Sequence, residues 1–180
     1  MLGTHRRVPD RSNPPEGHVI RIRPVDVEDV AWMAPRATAW FAEFADDYGD
    51  AVSRWAADPT VDGWVCEAGG QPAGFTLIGS IGLVGEQRPR VLEVFVLAVD
   101  PDHRRRGAAR SLLARAMQQA RSEAGVREIR VRVATENVAA IALFIQAGFV
   151  VDRDEDGHLD HGQRVARLRW TPRHRATSPG

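Results

Sequence analysis

The stretch Val91–Gly107, VLEVFVLAVDPDHRRRG, runs an apolar, β-branched segment straight into an arginine-rich turn that opens a helix. Asp100-Pro101 turns the chain out of the strand, because proline has no N–H for a ladder and a fixed φ. Arg104, Arg105 and Arg106 then supply positive charge, and Gly107-Ala108-Ala109 starts an amphipathic segment with almost no side-chain bulk. At a helix start the unpaired N–H groups and the positive end of the dipole point outward, and small residues let phosphate oxygens approach the backbone. The dipole contributes only about 0.3–1 kcal/mol at an exposed site, so the arginines must supply much of the grip on a pyrophosphate.

On either side of this stretch, strand and helix patterns interleave. His18–Arg23 (HVIRIR) alternates as a strand before Pro24. Between Asp26 and Thr60, apolar residues recur at three- and four-residue spacings, which predicts two helices broken near Pro35 and over Asp46–Asp50. Gly63–Ala68, Gly74–Val84 and Val91–Val99 read as a meander, separated by the turn-forming Gly-Gly-Gln-Pro and Gly-Glu-Gln-Arg-Pro. Leu112, Leu113, Ala116, Met117 and Ala120 share one face of a helix that stops near Gly125. Glu128–Ala134 alternates, with Ile129, Val131 and Val133 opposite Glu128, Arg130 and Arg132. Asn137 caps a helix over VAAIALFIQA that ends at Gly148, and Phe149–Asp152 with Gln163–Trp170 closes the sheet as an antiparallel pair. The class is α/β or α+β with a mixed sheet.

Length and composition bound the function. A chain of 180 residues suits one domain, which at this size buries roughly 70% of its unfolded surface and needs no disulfide. Cys66 is the only cysteine, which excludes an internal disulfide and a cysteine-cluster metal site and makes a reducing cytoplasm the expected setting. Neither a membrane-spanning apolar run nor a secretory leader is expected. Residues 1–17 and 171–180 are rich in Pro, Arg, Ser and Gly without periodicity and read as disordered tails around a domain over 18–170. Formal charge is zero, which argues against a nucleic-acid binder built on Arg104–Arg106, Arg130 and Arg132. All 24 basic residues are arginine; GC-rich codon usage is the plain explanation.

VLAVDPDHRRRGAARSLL, followed after EIRVRVA by N-VAAIALFIQAGF, resembles the acyl-coenzyme A binding core of the GNAT-type N-acetyltransferase superfamily. The resemblance covers roughly His18–Trp170, and its specific part is Glu93–Phe149. Arg104, Gly107 and Ala109 fall on the Arg/Gln-x-x-Gly-x-Gly/Ala pyrophosphate loop, and Asn137 and Gly148-Phe149 on the second motif. It implies a mostly antiparallel sheet of about seven strands, flanked by about four helices, whose fourth and fifth strands splay apart. The pantetheine arm of acetyl-CoA then lies along Leu97, Ala98 and Val99, the pyrophosphate on the amides from Arg105 to Arg110, Ala108 among them, and the acyl carbonyl against a strand amide such as that of Leu97.

The resemblance also implies acyl transfer from a thioester to a small-molecule or peptide amine, without a metal, nucleic acid or membrane, in a protein whose relatives often form homodimers. An alkylamine near pKa 10.4 is about one part in a thousand neutral at pH 7, so a base must take a proton. Glu93 is the candidate, as the only acid in an apolar strand and at the position of the glutamate base of some relatives; desolvation raises a carboxyl pKa toward neutrality. Its alternative roles are to face solvent or to pair with an arginine. Where many relatives carry a tyrosine acid, this chain has Phe144, which suits either transfer without a dedicated acid, help from Tyr48, or an acyl-CoA sensor without turnover. The first two helices and last hairpin bring Trp32, Trp40, Phe41, Phe44, Tyr48 and Trp55 with Asp46, Asp47 and Asp50 to the acceptor side, a set suited to a cationic amine or to plain packing. Asp152-x-Asp154-x-Asp156-Gly157 begins like a calcium loop but has Gln163 at its twelfth position, and His158, Asp160 and His161 read as a polar loop.

Overall fold

The computed structural model describes residues 19–81, 90–159 and 162–172. The tail 1–17, nearly all of 171–180, and the Gly-Glu-Gln-Arg-Pro turn lie outside the described residues. The chain forms β1 (Ile20–Pro24), α1 (Val30–Phe41), α2 (Tyr48–Ala57), β2 (Val61–Ala68), β3 (Gln71–Ile81) and β4 (Arg90–Val99). It continues as α3 (Ala108–Ser122), β5 (Val126–Ala134), α4 (Val138–Gln146), β6 (Val150–His158) and β7 (Arg164–Trp170). The seven strands make one sheet in the order β1-β2-β3-β4-β5-β7-β6. β4 and β5 run parallel, and the other neighbours are antiparallel.

Two features of β4 position the site. Its pairing with β5 runs only from Arg90↔Val126 to Glu93↔Arg130, although β4 continues to Val99 and β5 to Ala134. Against β3, Leu77 faces Val96 while Ile78 faces Val94, which leaves Phe95 as an extra, unopposed residue. Such a bulge bends the strand and reverses the facing of everything beyond it. Leu92 and Val94 accordingly pack with α3, α4 and β5, whereas Val96 and Ala98 pack with α1 and α2. The sheet thus carries a core on each face.

Packing overrides one expectation on the helices. The break near Pro35 does not occur, and α1 runs through it. Pro35 forfeits the bond to the Ala31 carbonyl, about 3 kcal/mol with its steric cost, but Met33 and Ala37 are completely buried on the inner face. Burying a methionine alone contributes roughly 1.5–3 kcal/mol, enough to offset most of the penalty. The true break spans 42–47, and α2 then crosses α1 at Gly49, where a Cβ would sit 2.7 Å from the Ala34 carbonyl oxygen. β6 is longer than expected, so the aspartate run from Asp152 belongs to a strand rather than to a loop between helices.

Arg23 clamps the first strand. Its guanidinium bonds both oxygens of Asp29, at 2.6 and 2.8 Å, and reaches Glu67 on β2 at 2.6 Å. Asp29 also accepts from the Asp26 N–H, and the Arg23 guanidinium beside it holds its carboxyl below the ordinary aspartate range. No helix among the described residues is long and apolar enough to cross a membrane.

Candidate active site

Where β4 leaves β5, a cleft of about 350 Å³ opens. Glu93–Leu97 of β4 and Val131–Ala134 of β5 form its sides. Asn137, Ala140 and Phe144 of the α4 segment line it, together with Phe41, Phe44, Tyr48 and Trp55 from the helical hairpin. His158 and Leu159 line it as well. Across the neighbouring loops, the Gln163 side-chain amide donates to the Glu43 carbonyl and ties the β6–β7 turn to the α1–α2 loop.

After β4, where an anion cradle is expected, the chain makes a tight turn into α3. A short 3-10 turn over Pro101–His103 follows Asp100, whose carboxylate accepts from the Asp102 N–H. Arg105 and Gly107 then take positive φ, 62° and 91°, a conformation that costs glycine little. The first α3 bond is Ser111 N–H to the Gly107 carbonyl, 2.9 Å, so the N–H groups of Ala108, Ala109 and Arg110 precede it and have no helical acceptor. Ala108 is buried, while Arg105, Arg106 and Arg110 are exposed. Arg104 is turned back to the strand, its Nε donating to the Val99 carbonyl at 3.1 Å. Leu97, Ala98 and Val99 lie beyond the last β4–β5 pair, between this turn and Glu93.

Glu93 sits in the cleft wall with its side chain only 13% exposed and its Oε1 2.9 Å from Arg132 Nε on β5. Sequence reasoning weighed an arginine partner for Glu93 without saying which; the two-residue step from Arg130, which pairs with Glu93 in register, places Arg132 on the same face. Phe144 is 2% exposed and packs edge-on against Phe149 at 5.2 Å, with its ring also at the cleft. The Tyr48 hydroxyl donates to the Phe95 carbonyl at 3.1 Å, so it holds the bulge in place. Asn137 caps α4, accepting from the Ala140 N–H at 3.1 Å.

Of the residues expected on the acceptor side, Phe41, Phe44, Tyr48, Trp55 and Asp47 line the cleft. Trp32 and Trp40 are not part of the lining; half-buried, they meet edge-on against the α1–α2 core, Trp32 edge-on to Phe75 at 6.0 Å, and Asp46 and Asp50 are not part of the lining either. Asp47 is paired with Arg54 at 3.3 Å. Phe95 escaped sequence reasoning, because an uninterrupted apolar strand shows no change of alternation at a bulge. Among the described residues no cluster of His, Cys, Asp and Glu is arranged to hold a metal.

Similarity to known proteins agrees with this geometry. Residues 27–149 match the family model described as Acetyltransferase (GNAT) family. An uncharacterized N-acetyltransferase of Methanocaldococcus jannaschii is 32% identical over 113 residues, 62% of this chain and 50% of that protein. A mycothiol acetyltransferase of Salinispora tropica is 32% identical over 146 residues, 75% of this chain and 45% of that protein. The chain therefore spans about half the length of the curated relatives it matches. In fold it resembles Arabidopsis thaliana NAA60 in complex with a bisubstrate analogue, with a TM-score of 0.73, 14% identity, and coverage of 87% of this chain and 100% of that one. It also resembles the putative acetyltransferase yncA of Salmonella typhimurium with acetyl-CoA, with a TM-score of 0.72, 21% identity, and coverage of 90% and 98%. With the family model spanning β4, the arginine turn, α4 and Phe149, the chain belongs to the GNAT acetyltransferase family.

Proposed function

We propose that the protein is an N-acetyltransferase that passes an acetyl group from acetyl-CoA to a primary amine, by direct attack with both substrates bound. The observation that carries this reading is the parting of β4 from β5 after Glu93, with the Gly107 cradle at one end of the opening and a carboxylate at the other. The residues fit such a donor. The N–H groups of Ala108, Ala109 and Arg110 and the exposed Arg105 and Arg106 suit a pyrophosphate, and Leu97, Ala98 and Val99 offer a strand edge to the pantetheine arm.

The donor supplies an activated acyl carbonyl; the protein's own groups bind, orient and move the proton. Glu93 takes a proton from the attacking amine while the nitrogen forms its C–N bond and the C–S bond breaks, and the sulfur leaves with the electron pair. Phe144 has no proton to give. A thiol of pKa about 8.5 is a good enough leaving group for water to protonate it, and Glu93 returns its proton to solvent.

Acetyl-CoA at 100 times its Kd is expected to raise stability by about 2.7 kcal/mol, seen as a rise in Tm that an unrelated nucleotide does not reproduce. Free coenzyme A should then appear when amines are added. Stabilisation without release from any amine would favour the second reading, an acyl-CoA sensor, which the phenylalanine at 144 supports.

A further inference from the structure

The aromatic side chains of the cleft serve two surfaces at once: Phe41, Tyr48 and Trp55 pack against the α1–α2 core, and the same rings, with Phe44 and Phe95, line the cleft. Phe41, Phe44, Tyr48, Trp55 and Phe95 all line the cleft, and all are only partly buried. Trp55 stacks on Phe95 with centroids 5.0 Å apart and Phe41 on Tyr48 at 4.5 Å, both nearly parallel. Phe44 belongs to neither core and touches the others only through Phe41, at 6.3 Å. A fold gains about 25 cal/mol for each Å² of apolar surface removed from water, so rings left half-wet around one cleft are rings that an apolar occupant completes.

The charges are equally selective. Both acids that line the cleft among the described residues are already paired, Glu93 with Arg132 and Asp47 with Arg54. Two carboxylates balanced by two guanidiniums make a poor trap for a polycation, whose second and third charges find no unmatched acid. They do not exclude a single amine beside Glu93.

We infer that the acceptor is a monoamine carried on a flat aromatic body, of the arylalkylamine class, with the ring held by Trp55, Phe95, Phe41 and Phe44 and the nitrogen directed at Glu93. This rests on the acetyl-transfer reading and names its acceptor. The balanced reaction converts the amine and the acetyl thioester into an N-acetyl amide and free thiol: Glu93 takes one amine proton, and the departing sulfur gains one proton from water.

The test compares coenzyme A release from acetyl-CoA with 2-phenylethylamine, n-butylamine, spermidine and a short peptide bearing a free N-terminus. 2-Phenylethylamine is expected to exceed n-butylamine by at least about tenfold in kcat/KM, the value of one well-placed ring contact, and to exceed spermidine and the peptide as well. Phe44→Ala, outside both cores, should raise KM for 2-phenylethylamine about tenfold more than it raises that for n-butylamine. Calorimetry of 2-phenylethylamine on the coenzyme A complex should show the same loss of affinity without any turnover. Preference for spermidine or the peptide, or a Phe44→Ala effect equal for both monoamines, overturns the acceptor assignment while acetyl transfer stands. Failure to bind acetyl-CoA at all overturns both.

Discussion

Arg132 Nε lies 2.9 Å from Glu93 Oε1, so the guanidinium of β5 reaches the carboxylate of β4 just where the two strands have ceased to pair. The contact spans the opening that splits the sheet. It fixes the direction of the carboxylate without enclosing it, since the arginine side chain is 55% exposed.

Glu93→Gln keeps the shape of the side chain and removes its basicity. Turnover should fall by about 10²–10⁴ while the Kd for acetyl-CoA stays near that of the parent, measured by steady-state kinetics and calorimetry. Arg132→Ala frees the carboxylate to swing and should lower kcat by about tenfold to a hundredfold, with Arg132→Lys recovering part of it. A Glu93→Gln enzyme of unchanged rate would remove that residue from the mechanism.

Gly107→Ala meets no steric wall, for its Cβ would approach nothing closer than Ile20 Cδ1 at 4.0 Å. The cost lies in the backbone, whose φ of 91° strains an L residue by about 1–3 kcal/mol. Tm should drop, and the stabilisation by coenzyme A should shrink as the turn relaxes. Gly125→Ala, at a φ of 82° in equally open space, should lower Tm while leaving coenzyme A binding intact.

Asp29 gives the fold an acid-sensitive clamp. Arg23 holds its carboxyl below the ordinary value, so the contribution is complete above the unfolded pKa, about 3.9, and is lost as pH falls through the folded one. Asp29→Asn should cost about 1.5–3 kcal/mol between roughly pH 5 and 8, the worth of a hydrogen bond to a charged group. In urea titrations the gap between variant and parent should close below about pH 4.

Cys66 is wholly buried, and that burial pushes its thiol pKa up. The folded protein should resist iodoacetamide at about pH 8 and react once urea opens it, with mass spectrometry reading the adduct. Because the folded thiol ionises later than the unfolded one, its contribution is full below the unfolded pKa and is lost as pH rises through the folded value.

The turn that opens α3 and the cap of α4 were far more legible in the sequence than the lining of the cleft. Gly107 and Asn137 announce themselves by local chemistry, a left-handed turn and a helix cap, and each works within a few residues of where it is written. Trp32 and Trp55, by contrast, have the same helical spacing and both pack against the α1–α2 core, and only the crossing of α1 and α2 at Gly49 decides that Trp55 reaches the cleft as well. Pro35 misled for a related reason, since its local penalty is opposed by burial contributed from β2, β3 and α2. The Arg132–Glu93 pair needed the β4–β5 register, which depends on residues far apart in the chain.

The single supernumerary residue at Phe95 makes β4 a hinge of allegiance between two independently packed halves. Before it the buried Leu92 and Val94 answer to one set of helices, and after it the buried Val96 and Ala98 answer to the other, while Leu97 and Val99 keep to the first. A deletion of one codon there would swap the residues that the end of this strand presents to its two packed faces, sending Val96 and Ala98 toward the α3 side and Leu97 and Val99 toward the α1–α2 side.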